Sequence, residues 1–154
     1  MDKFLLLTVL ALCCTACASQ KKPASVDRPG DSRTRQLQYI DDNAYFLEEL
    51  SEEESYGYQE SNPVKVGGAK EKAGPMNERR FLNALSGPNG EELKYFRAGS
   101  CCPFKTPDGL LGNTGLLDRY RVYWEGSKDT LDIYINMYDE GDLKIPVGLN
   151  GRKR

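Results

Sequence analysis

The residues of this chain best suited to chemistry are two adjacent cysteines, Cys101 and Cys102, followed by Pro103 and Phe104. Neighbouring Cα atoms lie about 3.8 Å apart, short of the roughly 4.4–6.8 Å usual for a disulfide. A bond between neighbours is therefore strained and easier to reduce than a structural bridge. Three states are open to the pair: a vicinal disulfide locking a tight turn, two inert free thiols, or a reactive or metal-binding dithiol. Zinc is disfavoured, because a structural site takes four N or S ligands and the chain has no histidine. A two-coordinate soft ion such as Cu(I) fits two thiolates. Without histidine the commonest general base is missing, and triads built on it are excluded. Carboxylates are plentiful, but they cluster before residue 61 or alternate outward on predicted strands. Asp118 could pair with Asp132 or Glu125 across a hairpin, although exposed cross-strand charges are the default. The glycines of Gly109–Gly115 lack the lysine and the following helix of a phosphate loop and read as turn formers. No catalytic set, metal or cofactor is implied, and the chain reads as a non-enzyme.

The elements that must position these residues are clearest in Leu117–Asp139. Tyr120, Val122 and Trp124 alternate with Arg119, Arg121, Tyr123 and Glu125. After Gly126–Thr130, Leu131, Ile133, Ile135 and Met137 alternate with Asp132, Tyr134, Asn136 and Tyr138. Two period-2 runs about a Gly-Ser-Lys-Asp turn predict an antiparallel hairpin. Val122, Trp124, Leu131, Ile133 and Ile135 then form its core face. Tyr123, Tyr134 and Tyr138, with Trp124, are candidates for an interface, where aromatic residues are enriched. They are also ordinary strand formers. Upstream, Val64 and Val66 predict a short strand ended by Gly67-Gly68. Asn77 is a candidate cap for a helix over Glu78–Leu85, with Met76 against Phe81 and Gly87-Pro88 as the stop. Arg80–Leu85 and Glu92–Arg97 could instead be two strands about Gly-Pro-Asn-Gly. Leu93–Ala98 is a strand either way, and Pro146 marks Leu143–Val147 as an edge or terminal segment. The expected fold is a small α+β domain over residues 62–150, mostly antiparallel sheet with one or two short helices.

The N-terminal region reads differently. Lys3 precedes Phe4–Leu12 (FLLLTVLAL), an uncharged run, and Thr15 and Ala16 lead into Cys17. This order of basic, apolar and small residues is a secretory signal. The run is far shorter than the roughly 20 residues a spanning helix needs. With a cysteine after the small pair, the segment resembles the lipobox of bacterial lipoproteins. That resemblance implies cleavage after residue 16 and acylation of Cys17, although Cys14 stands where the box usually has Leu. Acylation also settles an odd cysteine count, since the remainder is the pair Cys101 and Cys102. Ala18–Arg35 is polar and rich in Ser and Pro, as a flexible tether is. Ile40, Ala44, Leu47 and Leu50 make a helical stripe opposite acids, predicting a helix over Asp41–Leu50. Residues 17–61 are therefore expected to be a lipidated cysteine, tether and acidic helical segment. Residues 151–154, with Arg152, Lys153 and Arg154, are expected to be a frayed basic tail.

Charge is laid out unevenly around a net −2. Lys21, Lys22, Arg28, Arg33 and Arg35 dominate Ala18–Ile40, whereas Asp41–Glu60 is acidic and holds no base. Basic residues beside anionic headgroups gain about 1 kcal/mol each. An exported, slightly acidic chain with no basic face does not suit nucleic acid. The partners expected are a membrane, through the N-terminal lipid, and a protein of the outer membrane or periplasm.

At Asn62–Gly68, Gly74–Gly90, Gly99–Phe104, Gly115–Gly126 and Ile135–Gly148 the chain resembles a family of short lipoproteins of Bacteroidota-type bacteria. The likeness covers about Asn62–Leu149. Members are often labelled 2-dehydro-3-deoxyphosphooctonate aldolase. That activity belongs to a TIM barrel of about 250 residues, for which 154 residues offer no room. The resemblance implies a location, not a reaction. Ala18-Ser19-Gln20 lacks the acidic run resembling a surface-export signal, which implies the periplasmic face of the outer membrane. Asp129-Thr130-Leu131 looks like an Asp-Ser/Thr-apolar acceptor, which implies O-glycosylation at Thr130.

Overall fold

The computed structural model describes residues 30–154. The expected lipidation site, Cys17, and the signal before it lie outside these residues. The body is a small α+β domain with one short helix and mostly antiparallel sheet. Its centre is a four-stranded sheet in the order β3-β7-β6-β5, formed by Val64–Lys65, Leu131–Asn136, Thr114–Tyr123 and Lys94–Lys105. β6 is antiparallel to both of its neighbours, β5 and β7, and β3 joins β7 in parallel.

The predicted hairpin is present, with Val122 opposite Leu131 and Tyr120 opposite Ile133. Tyr120, Val122, Ile133 and Ile135 turn inward and are buried with Val64, Val66, Phe81, Leu82 and Leu149. Trp124 and Leu131 only border this core. Ser127 closes the connection by donating its hydroxyl to the Trp124 carbonyl at 2.8 Å.

The helix, α1, runs over Gly74–Asn83, earlier than the predicted Glu78–Leu85. Pro75 is the reason, because its fixed φ and missing N–H suit a first turn. Asn77 lies inside the helix rather than capping it, and its amide donates to the Gly67 carbonyl at 3.2 Å. The helix stops before Leu85 because β4 (Leu85–Ser86) pairs with β8 (Asn150–Gly151). Arg152 N–H also donates to the Ala84 carbonyl at 2.7 Å.

Two boundaries differ from expectation. Asp41–Leu50 is not a helix: β1 (Gln38–Asp41) and β2 (Ala44–Phe46) form a hairpin. The Asp41 carboxylate accepts the Asn43 N–H at 2.8 Å, a local bond that favours a turn over a helix. Leu50, part of the supposed stripe, is 56% exposed. The folded body therefore does not begin at residue 62. Ser32 N–H donates to the Glu140 carbonyl at 2.6 Å, and Arg33 donates to the Gly141 and Val66 carbonyls at 3.0 Å. The second difference is the basic tail. Arg152 pairs with Asp41, and the Arg154 guanidinium lies 3.8 Å from the Phe46 ring centroid. Residues 151–154 are docked on the first hairpin, held by charge and cation–π attraction.

Candidate functional site

Two irregularities in the long strand β5 create the site. Its pairing with β6 slips between Arg97 and Gly99 and again between Cys101 and Pro103. At the second slip Cys102 has φ +57°, left-handed backbone that disfavours a side chain. Cys101 and Cys102 are joined by a disulfide there, with Cα atoms 3.7 Å apart. Of the three states open from the sequence, this is the bonded one.

Cross-strand register places several candidates on one face of the sheet. Cys101 stands opposite Leu117, Arg119 opposite Tyr134, Arg121 opposite both Phe96 and Asp132, and Tyr123 opposite Lys94. Opposite residues share a face, so Tyr123 and Tyr134 lie on the outer side with Arg119 and Arg121, whereas Cys101 stands against the buried Leu117. Phe96, 50% exposed, joins them without having been singled out from the sequence. Trp124 lies past the strand end, half-buried, and a Cβ on Gly87 would strike its indole. Tyr138 does not belong to this surface. It is buried, edge-on to Phe104 with ring centroids 5.9 Å apart, because β7 ends at Asn136 and the chain turns inward. Thr130 is exposed in the β6–β7 connection, accessible for modification.

Beside the disulfide, Tyr58, Glu60, Cys102, Phe104 and Tyr134 line an open groove. A carboxylate oxygen of Glu60 and both sulfurs lie within 4.8 Å of one another. This was not visible in the sequence, since residues 60 and 101 belong to distant segments. While the sulfurs are bonded to each other they are not thiolate ligands. Reduced, they and Glu60 would offer an S₂O donor set suited to a soft or borderline cation.

A second constellation also escaped the sequence reading. Glu78, on α1, is fully buried, and Asp118, on β6, is nearly so. Tyr120 donates its hydroxyl to Glu78 Oε2 at 2.8 Å. Arg97 donates through Nε and Nη2 to the two Asp118 oxygens, each at 2.7 Å, and Ser100 adds a bond at 2.8 Å. Burial, reinforced by the Asp118 charge, pushes the Glu78 carboxyl up to about 8. At neutral pH Glu78 is thus protonated, and its Oε1 is buried with no hydrogen-bond partner among the described residues. Burial and the adjacent carboxylates likewise push the Tyr120 hydroxyl up. A raised carboxyl beside a second carboxyl in a different environment is the pattern of acid–base sites. Here, however, Arg97 caps the pair from the solvent side, so a substrate could reach it only by displacing a bidentate guanidinium. The arrangement ties helix to sheet.

No family model, curated protein or solved structure matches this chain. Among the described residues no helix is long and apolar enough to cross a membrane.

Proposed function

We propose that this protein is a non-enzymatic interaction module, acylated at Cys17 and held on the periplasmic face of an outer membrane, where it serves an envelope assembly. The N-terminal pattern supports the anchor. The outer sheet face supports the interaction and carries the proposal. Phe96 and Tyr123 are exposed there at diagonal positions with Arg121 between them, the aromatic and arginine chemistry of binding hot spots. Lys94, Arg119 and Arg121 share this face, and among the described residues Asp132 alone answers the two arginines, at 3.7 and 3.3 Å. The surplus is positive, so the partner surface is acidic. A photo-crosslinking residue at Tyr123, activated in intact cells, should give a discrete adduct with another envelope protein. Arg121→Glu should weaken that adduct about tenfold or more, the loss of one hot-spot contact. Recovery of the protein alone, with and without crosslinking, would contradict the proposal.

A second reading, a thiol-based redox or soft-metal-handling protein, is favoured by the Glu60 carboxylate next to Cys101 and Cys102. A dithiol reductant would supply two electrons and two protons, leaving two thiols that release those protons on binding a soft divalent ion. The reduced mature protein, cleaved before Cys17 and acylated there, should then take up one Cd²⁺ with a thiolate-to-metal ultraviolet band, absent in Cys102→Ser. Activity lost in Cys102→Ser with thermal stability unchanged would favour this reading. A large loss of stability would assign the pair to holding the turn.

A further inference from the structure

The β5–β6 connection carries two consecutive leucines that none of the described residues covers. Leu110 is 70% and Leu111 74% exposed, the most exposed large apolar side chains among the described residues. Their presentation is built into the backbone. Thr106 N–H donates to the Asn113 carbonyl at 3.1 Å, and a Cβ at Gly109 would strike the Thr114 backbone. Gly112 and Asn113 both take positive φ, closing a tight loop with the leucines at its apex. Thr106–Asn113 contains one acid, Asp108, and Lys70 pairs with it. Lys105 is exposed at the base of the same loop.

The described chain begins at that base. Gly30 lies against the Asp139 carboxylate, whose Oδ1 accepts the Thr106 hydroxyl at 2.6 Å. Lys65 donates to the Gly30 carbonyl at 3.2 Å. Of the neighbouring acids, Glu140 pairs with Arg33, and Asp139 is buried and also accepts the Asn136 amide at 2.8 Å. The end of the molecule from which the N-terminal segment departs thus carries an apolar apex with Lys65 and Lys105 near its base and Lys70 held by Asp108. From Cys17 to Gly30 the chain reaches at most about 45 Å fully extended, so an anchor at Cys17 holds this end close to its bilayer. An acylated cysteine at the end of a segment with that reach does not by itself fix the orientation of the body, which takes a second contact. Leucine in the interface and lysine beside anionic headgroups supply such a contact.

We infer that the Leu110-Leu111 apex inserts into the leaflet that holds the Cys17 lipid, as a second point of attachment that fixes the orientation of the body. This inference rests on the lipoprotein reading above. The test uses the mature acylated chain carrying Leu111→Trp, in phosphatidylethanolamine–phosphatidylglycerol vesicles with lipids brominated at shallow acyl positions. Trp124, the only native tryptophan, lies past the opposite end of β6 and serves as the unquenched internal control. Quenching of the added tryptophan, with the parent unaffected, is the expected result. Leu110→Asp/Leu111→Asp should lower vesicle partition of the Cys17→Ser chain about tenfold or more, because two leucines then no longer leave water. Flotation of the acylated chain with an unquenched residue 111 would overturn insertion while leaving the anchor intact. Failure of the chain to float at all would overturn both.

Discussion

Glu78 shows what one residue can do against its usual chemistry. Gln at this position should be neutral below about pH 4.5, where folded and unfolded carboxyls are both protonated. Between about 4.5 and 8 the unfolded Glu78 ionises while the folded one keeps its proton, so the native protein loses stability as pH rises. Each unit of that interval is worth about 1.4 kcal/mol. Glu78→Gln should therefore match the parent at about pH 4 and exceed it by on the order of 5 kcal/mol at pH 8.5 in denaturant unfolding. Equal stabilities at both values would show that the carboxyl is not protonated in the fold. Removing the cap on its neighbour, by Arg97→Ala, leaves the Asp118 charge buried without its bidentate partner. Because the guanidinium is half solvent-exposed, the expected cost is about 1–3 kcal/mol rather than the full value for a buried pair. The signal for this pair was present in the sequence. Glu78, Phe81, Leu82 and Leu85 fall at i, i+3, i+4 and i+7, which puts the acid on the apolar face of a helix. Asp118 likewise alternates with Tyr120 and Val122. Reading carboxylates as outward by type hid a position that periodicity had assigned inward.

At the scale of elements, alternation was a sound guide where both faces of a strand were distinct. The β6–β7 hairpin follows its sequence because a one-residue slip would turn Ile133 and Ile135 out to solvent. Ile133→Ala should cost about 2–5 kcal/mol, whereas Thr130→Ala in the exposed connection should stay within about 0.5 kcal/mol. Comparable losses would place Ile133 outside the core. The pattern misled where short-range polar bonds competed with it. Ile40, Ala44, Leu47 and Leu50 fit a helical stripe, yet the Asx bond at Asp41 turns the chain and Tyr39 meets Tyr45 across two strands at 5.2 Å. Leu47–Ser51 then runs alongside Ile145, a pairing between segments far apart in sequence. Long-range pairing also explains why α1 ends early and why Glu60 meets the cysteines. None of these contacts leaves a local trace.

The described body is closed by its C-terminal end. The C-terminal residues bridge α1, β4 and the first hairpin, so deleting residues 150–154 should lower stability by about 1–3 kcal/mol, the sum of a few hydrogen bonds and one cation–π contact. An unchanged melting temperature would show that the tail is ornamental. The opposite end bears the account's main claim. Every inference about place, from the acidic partner surface to the leucine apex, depends on acylation at Cys17. Cells fed radiolabelled or clickable palmitate test it most directly. The account predicts label on the parent protein and its recovery with outer membranes, and neither for Cys17→Ser. An unlabelled parent, or a Cys17→Ser protein that still fractionates with the membrane, would contradict it.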